Sequence, residues 1–114
     1  MAENKQYITQ EQENGKVMIA EDVVTTIITQ AVAEVEGMAG LTERKNRRIR
    51  VTISENEELT VDCNILVHYG QSVVDVATAV QEAITTAVES TTGVKVTAVN
   101  VSVCGIERQS GLTI

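Results

Sequence analysis

The residues predict an α+β domain in β-α-β-β-α-β order, with two helices packed on one face of a mostly antiparallel sheet. Three observations carry that expectation. Apolar residues recur at helical spacing over 21–36 and again over 73–88. They alternate strictly over 48–54 and over 59–67. A Val-rich run over 94–103 then follows the second helical stretch.

Taken in order, residues 1–14 are polar and without period, and read as a flexible N-terminal tail. Lys16 to Ala20 has Val17 and Ile19 on one face and predicts a short first strand. The first helix is expected over Glu21–Glu36, with Val23, Val24, Ile27, Ile28, Ala31 and Val35 as its inward stripe. Glu21 and Asp22 suit its N-terminal dipole, and Gly37 is placed to end it. Its Val, Ile and Thr content is mediocre for a helix, so its stability must come from packing.

Residues 37–47 read as a loop with two glycines. The strand over Arg48–Ser54 places Ile49, Val51 and Ile53 on one face. An acidic turn leads to Leu59, Val61, Cys63, Ile65 and Val67, which alternate with Thr60, Asp62 and Asn64. Together these two strands predict a β-hairpin with one wet face. Ser72 is a good N-cap for the second helix, with Asp75 three residues on, and Gly93 closes it. Val73, Val76, Ala77, Val80, Ile84, Ala87 and Val88 trace its apolar face. In the last strand the apolar parity changes from Val94, Val96 and Ala98 to Val99, Val101 and Val103, which predicts a β-bulge near Ala98. The expected layout is therefore a tail at 1–14, one domain at 15–106 and a short C-terminal tail at 107–114. A KH-like arrangement of the same elements is the alternative.

Composition narrows the function. At 114 residues the chain holds one core, and its 43% apolar content belongs to the globular range. Phe, Trp and Pro are absent and only Tyr7 and Tyr69 are aromatic, so the core must be aliphatic. Base stacking on exposed aromatics is disfavoured for the same reason. The N-terminus lacks the apolar segment of a signal peptide, and no run approaches the ~20 apolar residues of a membrane span. Two separated cysteines fit a reducing compartment. The expectation is a cytoplasmic protein.

The chemical inventory is thin. His68 is the only histidine, and it sits out of phase with the core residues of its strand, as a turn residue would. Cys63 has inward parity and is expected to be an inert buried thiol, whereas Cys104 ends a strand beside Gly105 and is expected to be more exposed. The acidic pairs Glu21–Asp22, Glu34–Glu36 and Glu57–Glu58 read as solvated faces and turns. Neither phosphate-cradling glycine pattern occurs. No catalytic, cofactor-binding or metal-ligating set emerges, so the expectation is a binding protein and not an enzyme.

One feature asks for a partner. Arg44, Lys45, Arg47, Arg48 and Arg50 are five of the nine basic residues, leaving four against sixteen acidic ones in a chain of net charge −7. This basic patch on an acidic body has three readings: a solvated face, a docking site for an acidic protein surface or a second copy, or a site for nucleic acid or anionic lipid. The acidic remainder disfavours nucleic acid, and the charge split favours head-to-tail self-association. A small-ligand carrier with an aliphatic pocket between helices and sheet is a further option.

Three segments together resemble the alkaline shock protein family of bacterial envelope stress proteins, best known from Gram-positive organisms. They are GKVMIAEDVVTTIITQAVAEVEGMAGL at 15–41, LTVDCNILVHYGQSV at 59–73 and VDVATAVQEAITTAVESTTGVKVTAVNVSVCGI at 74–106. The shared signals are EVEG, VxYG, VQE, TG and NVxVxGI. The resemblance implies a non-enzymatic stress-response protein of cell-envelope homeostasis, acting as a scaffold or adaptor. It further implies a homo-oligomer held at the membrane periphery by a membrane-associated anchoring protein, without inserting directly. The family offers no catalytic or cofactor residues to transfer. A nucleic-acid-binding regulator using the basic 44–50 patch is the alternative function.

Overall fold

The computed structural model describes residues 7–43, 47–56 and 58–108. The strand β5 (Leu59–His68) is the spine of the fold. Its alternation is complete: Leu59, Val61, Cys63, Ile65 and Val67 are all 0% exposed, and every residue between them is half-buried. On one edge, β4 (Ile49–Ile53) pairs antiparallel with residues 59–63, and β3 (Met38–Leu41) pairs antiparallel with residues 65–67. On the other edge, β6 (Val96–Glu107) runs parallel along the whole of β5. A strand has two edges only, so β3 and β4 lie end to end along one of them.

The predicted hairpin of β4 and β5 is present, and Ser54 organises its turn by accepting from the Asn56 and Glu58 amides at 3.2 and 3.1 Å. A parallel neighbour needs a long crossover, supplied by α2 (Val73–Thr92). The Ser72 hydroxyl caps α2 by accepting from the Asp75 amide at 3.4 Å, and Gly93 closes it in the left-handed region at φ +76°. The helix α1 (Glu21–Val32) has no side-chain N-cap, which leaves Glu21 and Asp22 to answer its dipole. Thr26 and Thr29 donate their hydroxyls to carbonyls four residues earlier, at 3.0 and 2.9 Å. Both helices contribute to one aliphatic core on the inner face of the sheet. Its buried residues are Val, Ile, Leu and Cys63, and among the described residues no polar or charged residue is buried.

Four expectations are corrected. First, residues 7–14 are no tail: β1 (Tyr7–Gln12) and β2 (Gly15–Ala20) form a separate antiparallel hairpin around a two-residue turn. The polar pattern concealed it because only its root, at Ile8 and Ile19, reaches the core. Residues 1–6 and 109–114 lie outside the described residues, and β6 extends through Glu107 into the segment expected as a C-terminal tail. Second, the glycine-bearing segment after the first helix contains β3, whose register slips between Met38 and Gly40. Third, α1 stops at Val32 with Ala33 as its C-cap, so Gly37 does not end it. Fourth, Val32 replaces Val23 on the buried stripe, and Val23 stays 48% exposed.

The bulge expected near Ala98 is present, since Leu59 faces Val96 while Thr60 faces Ala98. A second slip, between Ile65 and Leu66, places Cys104 outside the register. These two slips keep a 12-residue strand in step with a 10-residue one. Two α2 side chains also cap the backbone of β6. Glu89 accepts from the Val96 amide at 2.9 Å, and Gln81 donates to the Val99 carbonyl at 3.0 Å. Both groups are satisfied by the helix overhead instead of remaining free to pair with another chain.

Gly37 joins helix layer to sheet. It sits at φ +91°, and its carbonyl accepts from the His68 amide at 2.9 Å. A Cβ there would lie 2.8 Å from Val76 Cγ2 and 3.0 Å from Gln71 Oε1. Gly70 has nearly the same backbone, φ +95°, with open space around it. Gly37→Ala and Gly70→Ala therefore share a conformational cost, and only the first adds a clash against a buried core residue. Urea denaturation should show Gly37→Ala to be the more destabilising by about 1–3 kcal/mol. Equal losses would place the cost in the backbone alone.

Candidate partner-docking surface

The start of β4 alternates charge with core. Ile49 and Val51 are buried, and Arg48 and Arg50 are exposed on either side of Ile49. Arg47 is exposed as well. Arg44 and Lys45, the remaining two members of the expected patch, lie outside the described residues. The structure thus brings Arg47, Arg48 and Arg50 together at one edge of the sheet.

Their position depends on a residue outside the basic patch. Asn64, on β5, holds both ends of the 43–47 connection. Its carbonyl accepts from the Thr42 amide at 2.9 Å, and its amide donates to the Arg48 carbonyl at 3.1 Å. Its side-chain Nδ2 donates to the Arg47 carbonyl at 3.0 Å. In sequence Asn64 is merely a polar residue of the wet face. The available signal was an amide side chain, able to donate and accept, on the strand next to a long loop.

Among the described residues, none of the three arginines has a carboxylate within ion-pair distance. Arg50 stands opposite Asp62 in the register, yet the Asp62 carboxylate accepts from Asn100 Nδ2 at 2.9 Å. In a chain with sixteen acidic residues, three cations at one edge without acidic partners mark where an external anion meets least competition.

The other singled-out groups are placed as follows. His68 ends β5, half-buried on its outer parity, with Nδ1 shielded from water and without a hydrogen-bond partner. Cys104 is a free, exposed thiol. Cys63 is free and wholly buried. Burial pushes its thiol from 9.0 up to about 11, and the neighbouring Asp62 carboxylate adds to the rise. A thiol held in its protonated form cannot serve as a nucleophile near neutrality. Among the described residues there is no group of three His, Cys, Asp or Glu side chains able to hold a metal ion. No helix among them is long and apolar enough to cross a membrane.

Comparison with known proteins adds three findings. Residues 9–108 match the model of the alkaline shock protein 23 family, described by a cell envelope-related function. The uncharacterized protein YqhY of Bacillus subtilis (strain 168) is 29% identical over 106 residues, spanning 82% of this chain and 78% of the relative. Among solved structures, a triply substituted MamM CTD is similar at TM-score 0.53 and 22% identity, over 75% of this chain and 95% of that one. A nickel form of another MamM CTD variant gives TM-score 0.53 and 22% identity, over 75% and 99%. At this identity the two structures show a shared fold and nothing further.

The Cys63 thiol has a consequence for alkaline stability. Its folded pKa lies above its unfolded value, so its contribution is fully present below pH 9 and is lost as pH rises toward 11. Cys63→Ala will be less stable than the parent at neutral pH because it leaves a cavity. The difference between parent and variant should shrink by about 2–3 kcal/mol on going to pH 11 in urea unfolding. A difference independent of pH would show that the buried thiol ionises as readily as the unfolded one.

Proposed function

The chain belongs to the alkaline shock protein 23 family, and from that premise we propose that it is a non-enzymatic scaffold or adaptor in cell-envelope stress. It acts by associating with further copies of itself and by docking on a membrane-associated protein that holds it at the bilayer periphery. The observation that carries this reading is the set Arg47, Arg48 and Arg50, without carboxylate partners among the described residues and with Arg47 and Arg48 anchored through Asn64, on an otherwise acidic body. Arg44 and Lys45, adjoining in sequence, extend the same charge. Opposite charges on different faces of one molecule attract head to tail.

Static light scattering across concentration and salt tests the association. Average mass should rise with protein concentration at low salt and fall as salt screens the contact. Arg48→Glu combined with Arg50→Glu should lower association about tenfold or more, each reversal costing on the order of 1 kcal/mol at an exposed contact. A monomer under every condition would end the self-association half. Crosslinking in the native cell tests the other half: recovery of an integral membrane protein supports the anchor, and recovery of ribosomal or RNA-bound proteins alone overturns it.

A further inference from the structure

Beside the arginines lies a groove of about 490 Å³ between α1 and the start of β4. Its apolar surface comes from Leu41 and Ile49, and α1 contributes Thr25 and Thr29. Arg47 and Arg48 reach it from the β4 side, and Glu43 from the end of β3. The Thr29 hydroxyl is occupied, donating to the Thr25 carbonyl at 2.9 Å. Among the described residues the Thr25 hydroxyl has no partner, so it keeps a donor for a ligand.

Two guanidinium groups and one carboxylate leave the lining with one net positive charge. That balance suits a monoanion better than a dianionic phosphate monoester. The apolar residues beside the arginines suit an anion that carries hydrocarbon. No aromatic residue lines the groove, so it offers no stacking platform for a base. A phosphodiester with an apolar remainder meets each of these conditions.

We propose that this groove holds the phosphodiester headgroup of an anionic glycerophospholipid, so that the chain contacts the bilayer surface itself as well as any anchoring protein. Arg47 and Arg48 take the phosphate oxygens, the Thr25 hydroxyl donates a further hydrogen bond, and the glycerol end lies toward Leu41 and Ile49. Asn64 is a positioning residue, acting through the Arg47 carbonyl. The binding is superficial, and no part of the chain inserts. This inference uses the basic patch of the scaffold reading but does not require self-association.

The test is co-sedimentation of the full chain with vesicles of phosphatidylcholine alone or mixed equally with phosphatidylglycerol. Binding should be confined to the mixed vesicles. Loss of both charges in an Arg47→Ala, Arg48→Ala chain should weaken it about thirtyfold. Thr25→Val changes no charge and should still weaken it about tenfold, because it removes a hydrogen bond to an ionised group. Arg108→Ala, distant in sequence from the groove, should leave it unchanged. Soluble glycerophosphoglycerol should compete with the vesicles. Binding insensitive to Thr25→Val, or equally reduced by Arg108→Ala, would reflect general charge attraction and overturn the groove assignment. Absence of vesicle binding overturns it too, as does tighter binding of a single-stranded oligonucleotide than of the vesicles. Light scattering without lipid reads the scaffold proposal separately, so either idea can fail while the other stands.

Discussion

Everything in this fold depends on burying one face of β5 without aromatic residues. Five consecutive inward side chains are removed from water, each worth roughly 1.5–3 kcal/mol for the larger aliphatics. With neither Phe nor Trp in the chain, no single residue can span the gap between helix layer and sheet. Val76, Val80, Ile84 and Val88 of α2 and Val24, Ile28 and Val32 of α1 fill it instead. Branched aliphatics interdigitate closely and tolerate little displacement, so the helices are held by fit. This explains how a helix as rich in Val and Thr as α1 persists without a side-chain cap.

The central strand must also serve three neighbours of different direction and length. The antiparallel edge is shared by two short strands, and the parallel edge carries a single long one. Bulges absorb the mismatch on β6. Side chains from α2 then satisfy backbone groups at Val96 and Val99. The same helix that supplies the parallel crossover thus also protects the strand that it delivers. The hairpin β1–β2 stands apart from this arrangement, joined to the core chiefly through Ile8.

The proposed docking surface lies where the sheet interior meets the acidic exterior. Asn64 belongs to the half-buried outer row of β5, yet its three backbone and side-chain bonds fix Thr42, Arg47 and Arg48. The central strand thereby fixes the backbone at Arg47 and Arg48. Among the described residues they have no carboxylate partner, which leaves that charge available to a partner of opposite sign.

The periodicity of the chain by itself determined both helices, the β4–β5 hairpin, the last strand with its first bulge, and the inward set of β5. Each of these elements turns one apolar face toward the core, so its period is written in hydrophobicity. The hairpin β1–β2 was only partly legible: Val17 and Ile19 marked β2, whereas β1 is polar beyond Ile8 and carries no apolar alternation. β3 escaped detection because Gly40 lies within it, Gly37 precedes it, and its partner is 24 or more residues away along the chain. The basic cluster was visible as charge, whereas the anchoring of Arg47 and Arg48 by Asn64, and the lack of acidic partners for Arg47, Arg48 and Arg50 among the described residues, were not. Those facts were decided by tertiary structure alone, because they depend on which strand lies beside which, and hydrogen bonds between distant residues leave no periodic trace in sequence.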